Sequence, residues 1–248
     1  MQLISFRIIG NKLQVVILAG GKGTRLKPMT MTIPKPMMKI NGVPFLEILI
    51  KLLKMKRISN VVMCVGYLSN VIEDYFQSGK NFNIEIKYSH EKDLLGTAGA
   101  IKNSENFLEN EFIVINGDTF VDIDYTKLIT FAQEKGKLCT MCGYVNDQKN
   151  TDYVNNLLID SKGNVSKYVK DEELSELNCI DIGVYYFQKK TLDFFENKKP
   201  LSLEFDVFPK LIAQNQVAGF ATHEKFYDIG TLSRVKKFSE ICKKLNIR

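Results

Sequence analysis

The unbroken apolar stretch Val15-Val16-Ile17-Leu18 stops abruptly at Ala19-Gly20-Gly21-Lys22-Gly23-Thr24-Arg25, and this junction constrains the chain more than any other feature. A short run rich in β-branched residues, with no alternation of polar and apolar positions, reads as a strand buried on both faces, the pattern of a parallel sheet. Glycines directly after such a strand let backbone N–H groups come close to a phosphate, and Arg25 and Lys35 add fixed positive charge beside them. The segment is an anion cradle. It is not a Walker loop, which needs Gly-Lys-Ser/Thr after four intervening residues, and Leu26 stands where a dinucleotide fingerprint needs its third glycine.

The pattern that follows extends the same architecture. Pro44 to Lys56 places Phe45, Ile48, Leu49, Leu52 and Leu53 on one helical face, with proline at a first-turn position. Strands are expected at Asn60–Val65, Ile84–Tyr88 and Phe112–Ile115, with helices at Asn70–Phe76 and Thr97–Leu108 between them. This alternation predicts an α/β fold built of right-handed βαβ units on a mostly parallel sheet covered on both faces. After Cys139 the texture turns more antiparallel, with strand-like segments at 139–145, 156–160, 165–168 and 179–187. Helices are expected again at 189–196, 203–213 and 232–245.

Composition excludes several classes. With 248 residues, 45% apolar and 25% charged, the chain has the proportions of an ordinary globular protein. No linker or repeat divides it, so a single domain over 1–248 is expected, with an extension at 1–12 and an amphipathic C-terminal helix at 232–248. The extension either adds an edge strand or contacts a partner subunit. No apolar run reaches the roughly 20 residues of a membrane helix, so no membrane association and a cytoplasmic location are expected. Net charge is +6, but Arg234, Lys236, Lys237, Lys243, Lys244 and Arg248 supply most of it. They read as the solvated face of the last helix, whose apolar side is Val235, Phe238, Cys242 and Leu245, rather than as a nucleic-acid site. The five cysteines suit reduced core thiols. In Cys139-Thr140-Met141-Cys142, residues three apart on a strand face opposite ways and cannot pinch a metal.

Gly20-Gly21-Lys22-Gly23-Thr24-Arg25-Leu26 with Pro34-Lys35-Pro36 resembles the signature of the sugar-1-phosphate nucleotidylyltransferases, and four further segments agree in order and spacing. They are Leu95-Gly96-Thr97-Ala98-Gly99-Ala100, Asn116-Gly117-Asp118, Ser202-Leu203-Glu204-Phe205-Asp206-Val207-Phe208-Pro209 and Phe226-Tyr227-Asp228-Ile229-Gly230-Thr231. The resemblance runs from about Gln14 to the C-terminus. It implies a Rossmann-like three-layer sandwich with a mostly parallel mixed sheet and a smaller antiparallel sugar-binding part. The activity implied is attack of a sugar 1-phosphate on the α-phosphorus of a nucleoside triphosphate, with release of pyrophosphate. The short branch that makes heptose nucleotides is the most similar in look, which implies GTP and D-glycero-α-D-manno-heptose 1-phosphate. Uridylyl, thymidylyl or cytidylyl transfer to a hexose 1-phosphate is the alternative. A non-catalytic nucleotide-sugar-binding regulatory subunit is another, but pure binding does not need the full charge set of Arg25, Lys35, Asp118 and Asp228.

A phosphate monoester loses its second proton near pH 6, so the nucleophile is already anionic and needs no general base. His90 and His223 are accordingly read as structural or surface residues. What the reaction needs is cations, because two anions about 4 Å apart repel by several kcal/mol at a surface-like dielectric. The catalytic set implied is Arg25, Lys35 and Asp118, with Mg²⁺ held by Asp118 and Asp228. The nucleotide contacts implied are Leu18, Gly20, Gly21, Gly23, Thr24 and Arg25 for the phosphates, with Gly96, Thr97 and Glu91 for the ribose and base. Lys170, Asp181, Gly183 and Glu204 are the sugar-phosphate set. The match departs from the family here: Val165 to Asp171 replaces a Phe-x-Glu-Lys stretch, Asp181-Ile182-Gly183 replaces Asn-Ala-Gly, and Tyr153-Val154 replaces Tyr-Gly. Lys167 stays open beside Lys170. The family is often dimeric or larger, and a homo-oligomer is left open.

Overall fold

The buried stretches come out as strands and the amphipathic ones as helices. A computed structural model describes residues 13–146, 152–170, 174–196 and 198–245. The first half carries β1 (Gln14–Leu18), a small hairpin β2 (Lys39–Ile40) and β3 (Val43–Pro44), α1 (Phe45–Met55), β4 (Asn60–Val65), α2 (Ser69–Phe76), β5 (Glu85–His90) and α3 (Gly96–Asn103). Next come β6 (Glu111–Asn116), β7 (Thr119–Val121), α4 (Tyr125–Lys135), β8 (Cys139–Val145), β9 (Leu157–Ile159), β10 (Val165–Tyr168) and β11 (Cys179–Gln188). The chain closes with α5 (Phe208–Ala213), β12 (Val217–Thr222), β13 (Phe226–Asp228) and α6 (Leu232–Leu245).

Nine strands form one mixed sheet in the order β10-β9-β11-β6-β1-β4-β5, with β8 on the other side of β11 and β12 beyond β8. β1 runs parallel to both β4 and β6, and β4 to β5. Antiparallel pairing enters through β11, which joins β6 and β8. Successive residues of the inner strands feed two separate cores. Val15, Ile17, Val61, Met63, Ile113 and Ile115 pack with α1, α2, α4 and α6, whereas Val16, Val62, Phe112 and Val114 pack with α3 and α5. Helices on both faces make three layers, as the unalternating strands demand. Cys139 and Cys142 fall in opposite cores, and burial pushes both thiols well above their usual range.

Several elements differ from the sequence reading. Helix α4 was not anticipated, although Asp124 caps it by accepting from the N–H groups of Thr126 and Lys127 and Gly136 ends it in a left-handed turn. Strands β12 and β13 were also missed, and β12 lies parallel to β8 in the half expected to be antiparallel. The stretch 189–196 forms a 3₁₀ turn over Lys189–Phe194, and Leu203–Val207 is a π-turn leading into α5.

Helix α6 keeps its expected apolar side, with Phe238 and Cys242 buried. The Phe238 ring lies 5.4 Å from Phe45, 5.2 Å from Phe120 and 5.6 Å from Tyr227, which ties α6 to α1, β7 and β13. Leu245 is exposed beyond the end of that contact. The readings made for 1–12, Asp171 and 246–248 lie outside the described residues. No described helix is long and apolar enough to cross a membrane.

Candidate functional site

Strand order sets the place. From β1 the chain moves outward through β4 to β5, then returns to lay β6 on the other side of β1, so connections leave the ends of β1 and β6 in opposite directions. A crevice opens beyond the carboxyl ends of strands at such a switch point. Leu18 and Asn116 are paired at those ends, and a cavity of about 580 Å³ lies beyond them.

The loop after β1 forms one wall. Gly20 C=O accepts from Tyr67 N–H at 3.1 Å, and Gly23 C=O accepts from Leu26 N–H at 3.0 Å and Thr30 Oγ1 at 3.0 Å. Leu26, fully buried, anchors a short 3₁₀ turn and leaves Arg25 exposed at the rim. Gly23 is left-handed at φ +57, and a β-carbon there would crowd Lys35 Cβ at 2.9 Å. At Gly20 a β-carbon would overlap Glu91 Oε1, so glycine is what allows that carboxylate to lie against the loop. Glu91 Oε2 accepts from Leu95 N–H at 3.1 Å; burial raises its pKa, only partly offset by that bond.

The acidic residues are brought together by β7 and β13. Asp118 follows β6 and pairs with Lys35. Strand β13 runs antiparallel to β7 with Asp228 opposite Thr119, and Ile229 N–H donates to Asp118 C=O at 3.0 Å. Two acidic residues 110 positions apart in the chain are thus held on neighbouring backbones. Asp228 Oδ1 accepts from Gly230 N–H at 2.6 Å, and Oδ2 from Tyr153 OH at 2.5 Å. Arg234 Nη1 reaches both oxygens, at 3.2 and 3.0 Å. The Asp228 carboxylate, by hydrogen bond and charge, and burial before it, push the Tyr153 pKa up. Arg25 Nη2 lies 3.7 Å from where a β-carbon on Gly230 would sit, which puts it on the same rim.

A third group sits at α3 and the π-turn. Thr97 Oγ1 donates to Glu204 Oε2 at 2.8 Å and accepts from Leu203 N–H at 2.8 Å. Burial pushes the Glu204 carboxyl up, but the Ser202 hydrogen bond, the Lys170 charge and the Thr97 bond outweigh it and leave it below the usual range. Lys170 Nζ stands 3.3 Å from Glu204 Oε1, whereas Lys167 Nζ pairs with Glu176 at 2.8 Å on the surface.

The cavity is lined by every loop residue singled out from the sequence, together with Lys35, Glu91, Gly96, Thr97, Asp118 and Glu204. Asp228 sits just behind its rim at Gly230. Lys170, Asp181 and Gly183 do not line it. Asp181 instead closes a bulge in β11, accepting from Gly183 N–H at 2.9 Å and Tyr185 OH at 2.8 Å, and burial lifts its carboxyl to about 6. Asn116, which lines the cavity, was not singled out as a site residue, though the motif containing it was. Arg234 was read as part of a solvated basic face; it turns inward to Asp228.

Among the described residues no three acidic, histidine or cysteine side chains gather as a metal cluster. Asp118 and Asp228 alone offer too few ligands for a resident cage, but two hard carboxylates beside a glycine loop suit an ion that takes its remaining ligands from phosphate and water.

The nucleotidyl transferase family matches residues 14–244. The chain belongs to that family. It is 38% identical over 192 residues to the D-glycero-alpha-D-manno-heptose 1-phosphate guanylyltransferase of Campylobacter jejuni subsp. jejuni serotype O:2, covering 77% of this chain and 83% of that one. It is 31% identical over 214 residues to the UTP–glucose-1-phosphate uridylyltransferase of Synechocystis sp., covering 81% of this chain but only 55% of that one. The crystal structure of HddC from Yersinia pseudotuberculosis complexed with GMP-PN superposes with a TM-score of 0.79 at 32% identity, covering 92% of this chain and 99% of that one. Relatives in this family include both guanylyl- and uridylyltransferases.

Proposed function

We propose that the protein joins a sugar 1-phosphate to the α-phosphate of a nucleoside triphosphate and releases pyrophosphate, with GTP and D-glycero-α-D-manno-heptose 1-phosphate as the substrates. The observation that carries this reading is that the glycine loop, Arg25, Lys35 and Asp118 line one sheet-edge cavity, with Asp228 just behind its rim. An oxygen of the sugar phosphate attacks the α-phosphorus, the bond to the bridging oxygen breaks, and that oxygen leaves on pyrophosphate with the electron pair.

Loop N–H groups and Arg25 hold the β- and γ-phosphates, and Lys35 offsets charge gathering on the leaving group. Removing one such preorganised donor costs on the order of 10²–10³ in rate. Mg²⁺, held by Asp118 and Asp228, supplies the divalent charge that lets one anion approach another. Lys170, beside Glu204, receives the sugar phosphate, while Lys167 is spent on Glu176.

Base choice falls to Glu91. A carboxylate at the loop accepts from both guanine N1–H and the 2-amino group, whereas uracil offers it a single donor. Burial disfavours the charged form of Glu91, and two donors from guanine offset that penalty. The guanylyltransferase relative and the HddC complex with GMP-PN support the same choice. Pyrophosphate release measured with four triphosphates against heptose, mannose and glucose 1-phosphates tests the reading. GTP with the heptose is expected to be fastest, and nucleotide binding without turnover on any pair would replace catalysis with a regulatory role.

A further inference from the structure

We propose that Arg234 is the resting counter-ion of Asp228, given up when metal and nucleotide bind, and that its freed guanidinium then contacts a phosphate of the nucleotide. This rests on Asp228 being a metal ligand, as proposed above.

A carboxylate offers about four lone-pair positions. Among the described residues those of Asp228 are all taken: Gly230 N–H and Arg234 on Oδ1, Tyr153 OH and Arg234 on Oδ2. A metal ion can bind there only by displacing a donor. The Gly230 and Tyr153 bonds are the short ones, at 2.6 and 2.5 Å, and each belongs to a group fixed by the fold. Arg234 is the displaceable partner, because a single nitrogen straddles both oxygens at 3.0 and 3.2 Å instead of forming the two parallel bonds of a fork.

The surroundings favour motion of that side chain. Its guanidinium carbon lies 4.2 Å from the Tyr153 ring centroid, so it has a flat aromatic platform to move across without losing contact. Arg234 Nη1 and Arg25 Nη2 each lie 3.7 Å from where a β-carbon of Gly230 would sit. Gly230 lines the cavity, so a guanidinium leaving Asp228 emerges next to Arg25, at the phosphates.

Charge is conserved in the exchange. Asp118 is matched by Lys35 and Asp228 by Arg234. A bound dication satisfies the two carboxylates, and the two released monocations face the incoming triphosphate. Neutralised carboxylates also bind metal poorly by themselves, so the site loads metal together with nucleotide.

The test compares wild type, Arg234→Gln and the charge-retaining Arg234→Lys, with Arg234→Met in reserve should the glutamine variant fail to fold. Mn²⁺ binding without nucleotide is followed by its EPR signal, and GTP binding at saturating Mg²⁺, where the metal has displaced Arg234, is followed by calorimetry. Loss of the charge is expected to tighten Mn²⁺ and weaken GTP, each by about fivefold, as for other partly exposed ion pairs, with Lys near wild type. Opposite signs are the signature, since a purely structural role would loosen both. Mn²⁺ affinity unchanged or weaker in the neutral variants would overturn the proposal. Asp228→Asn separates this failure from that of the underlying reading: Mn²⁺ binding in the presence of GTP that survives this change means Asp228 is no ligand at all.

Discussion

Gly21 and Gly23 stand in one loop, yet a methyl group added at each has opposite consequences. At Gly23 the backbone is left-handed, and a β-carbon would come within 2.9 Å of Lys35 Cβ and 3.1 Å of Thr30 Cγ2. The left-handed conformation costs a residue bearing a β-carbon about 1–2 kcal/mol. Lys35 Cβ is fixed to its own backbone and cannot swing aside, which adds about 1–3 kcal/mol of overpacking. The stiffer unfolded chain returns about 0.4–1 kcal/mol. Gly23→Ala is therefore expected to lose about 1–5 kcal/mol, lowering Tm by about 2–18 °C for a chain of this size. At Gly21 nothing lies within 4 Å of an added β-carbon and φ is not positive, so only the unfolded-chain effect remains and Gly21→Ala should melt about 1–4 °C above wild type. Scanning calorimetry on both proteins decides the matter. A Gly23→Ala protein that melts with the wild type, or a Gly21→Ala protein that falls as far, would refute the reasoning, because the sequence motif alone treats the two positions alike.

Asp228→Asn should lower kcat/KM for pyrophosphate release by at least about 10²–10³-fold while leaving a cooperative melt, and EDTA should abolish turnover in the wild type; activity that survives either change removes the metal assignment. Glu91→Gln should cut the preference for GTP over UTP by about 10- to 100-fold, the worth of one charged hydrogen bond, and an unchanged ratio in the triphosphate panel would free Glu91 of base selection. Asp181 titrates near 6 in the fold against an ordinary 3.8, so the folded protein keeps a proton that the unfolded chain loses between these values. The stability this carboxyl contributes is full below about pH 4 and lost as pH rises through 6, about 3 kcal/mol at about 1.4 kcal/mol per pH unit. Urea melts of wild type and Asp181→Asn from pH 4 to 7 should diverge with that sign, and parallel curves would contradict it.

Legibility in the sequence followed the strength of the local signal. β1, β4 and β6 were plain because burial on both faces leaves no polar position in their centres. Helix α4 was not, because of its eleven residues only Tyr125, Leu128 and Ala132 are buried; its evidence lay in the caps Asp124 and Gly136, not in periodicity. β12 was missed for a related reason: Ala218, Gly219 and Ala221 carry little strand preference, and Gly219 is required by the Ile159 side chain, which a β-carbon there would meet at 2.7 Å. The loop, Asp118 and Asp228 could be proposed from the sequence because each lies in a compact motif, and the fold brings them to one sheet edge. The partnership of Arg234 with Asp228 could not, since helical spacing marks a basic residue near an apolar stripe without saying which one turns inward. That is decided by the rotation of α6, which the Phe238 contacts fix.

Those same contacts mean that α6 is no appendage. Phe238 is the keystone between the last helix and the strands bearing Asp118's neighbour and Asp228. On a ribosome, the glycine loop and Lys35 emerge early, yet the nascent polypeptide cannot seat Asp228 against its partners until α6 follows. Premature termination before Leu232 would strip the Phe238 ring from Phe45, Phe120 and Tyr227, take Arg234 from Asp228, and hand the cell's quality-control machinery a chain with an unfinished crevice.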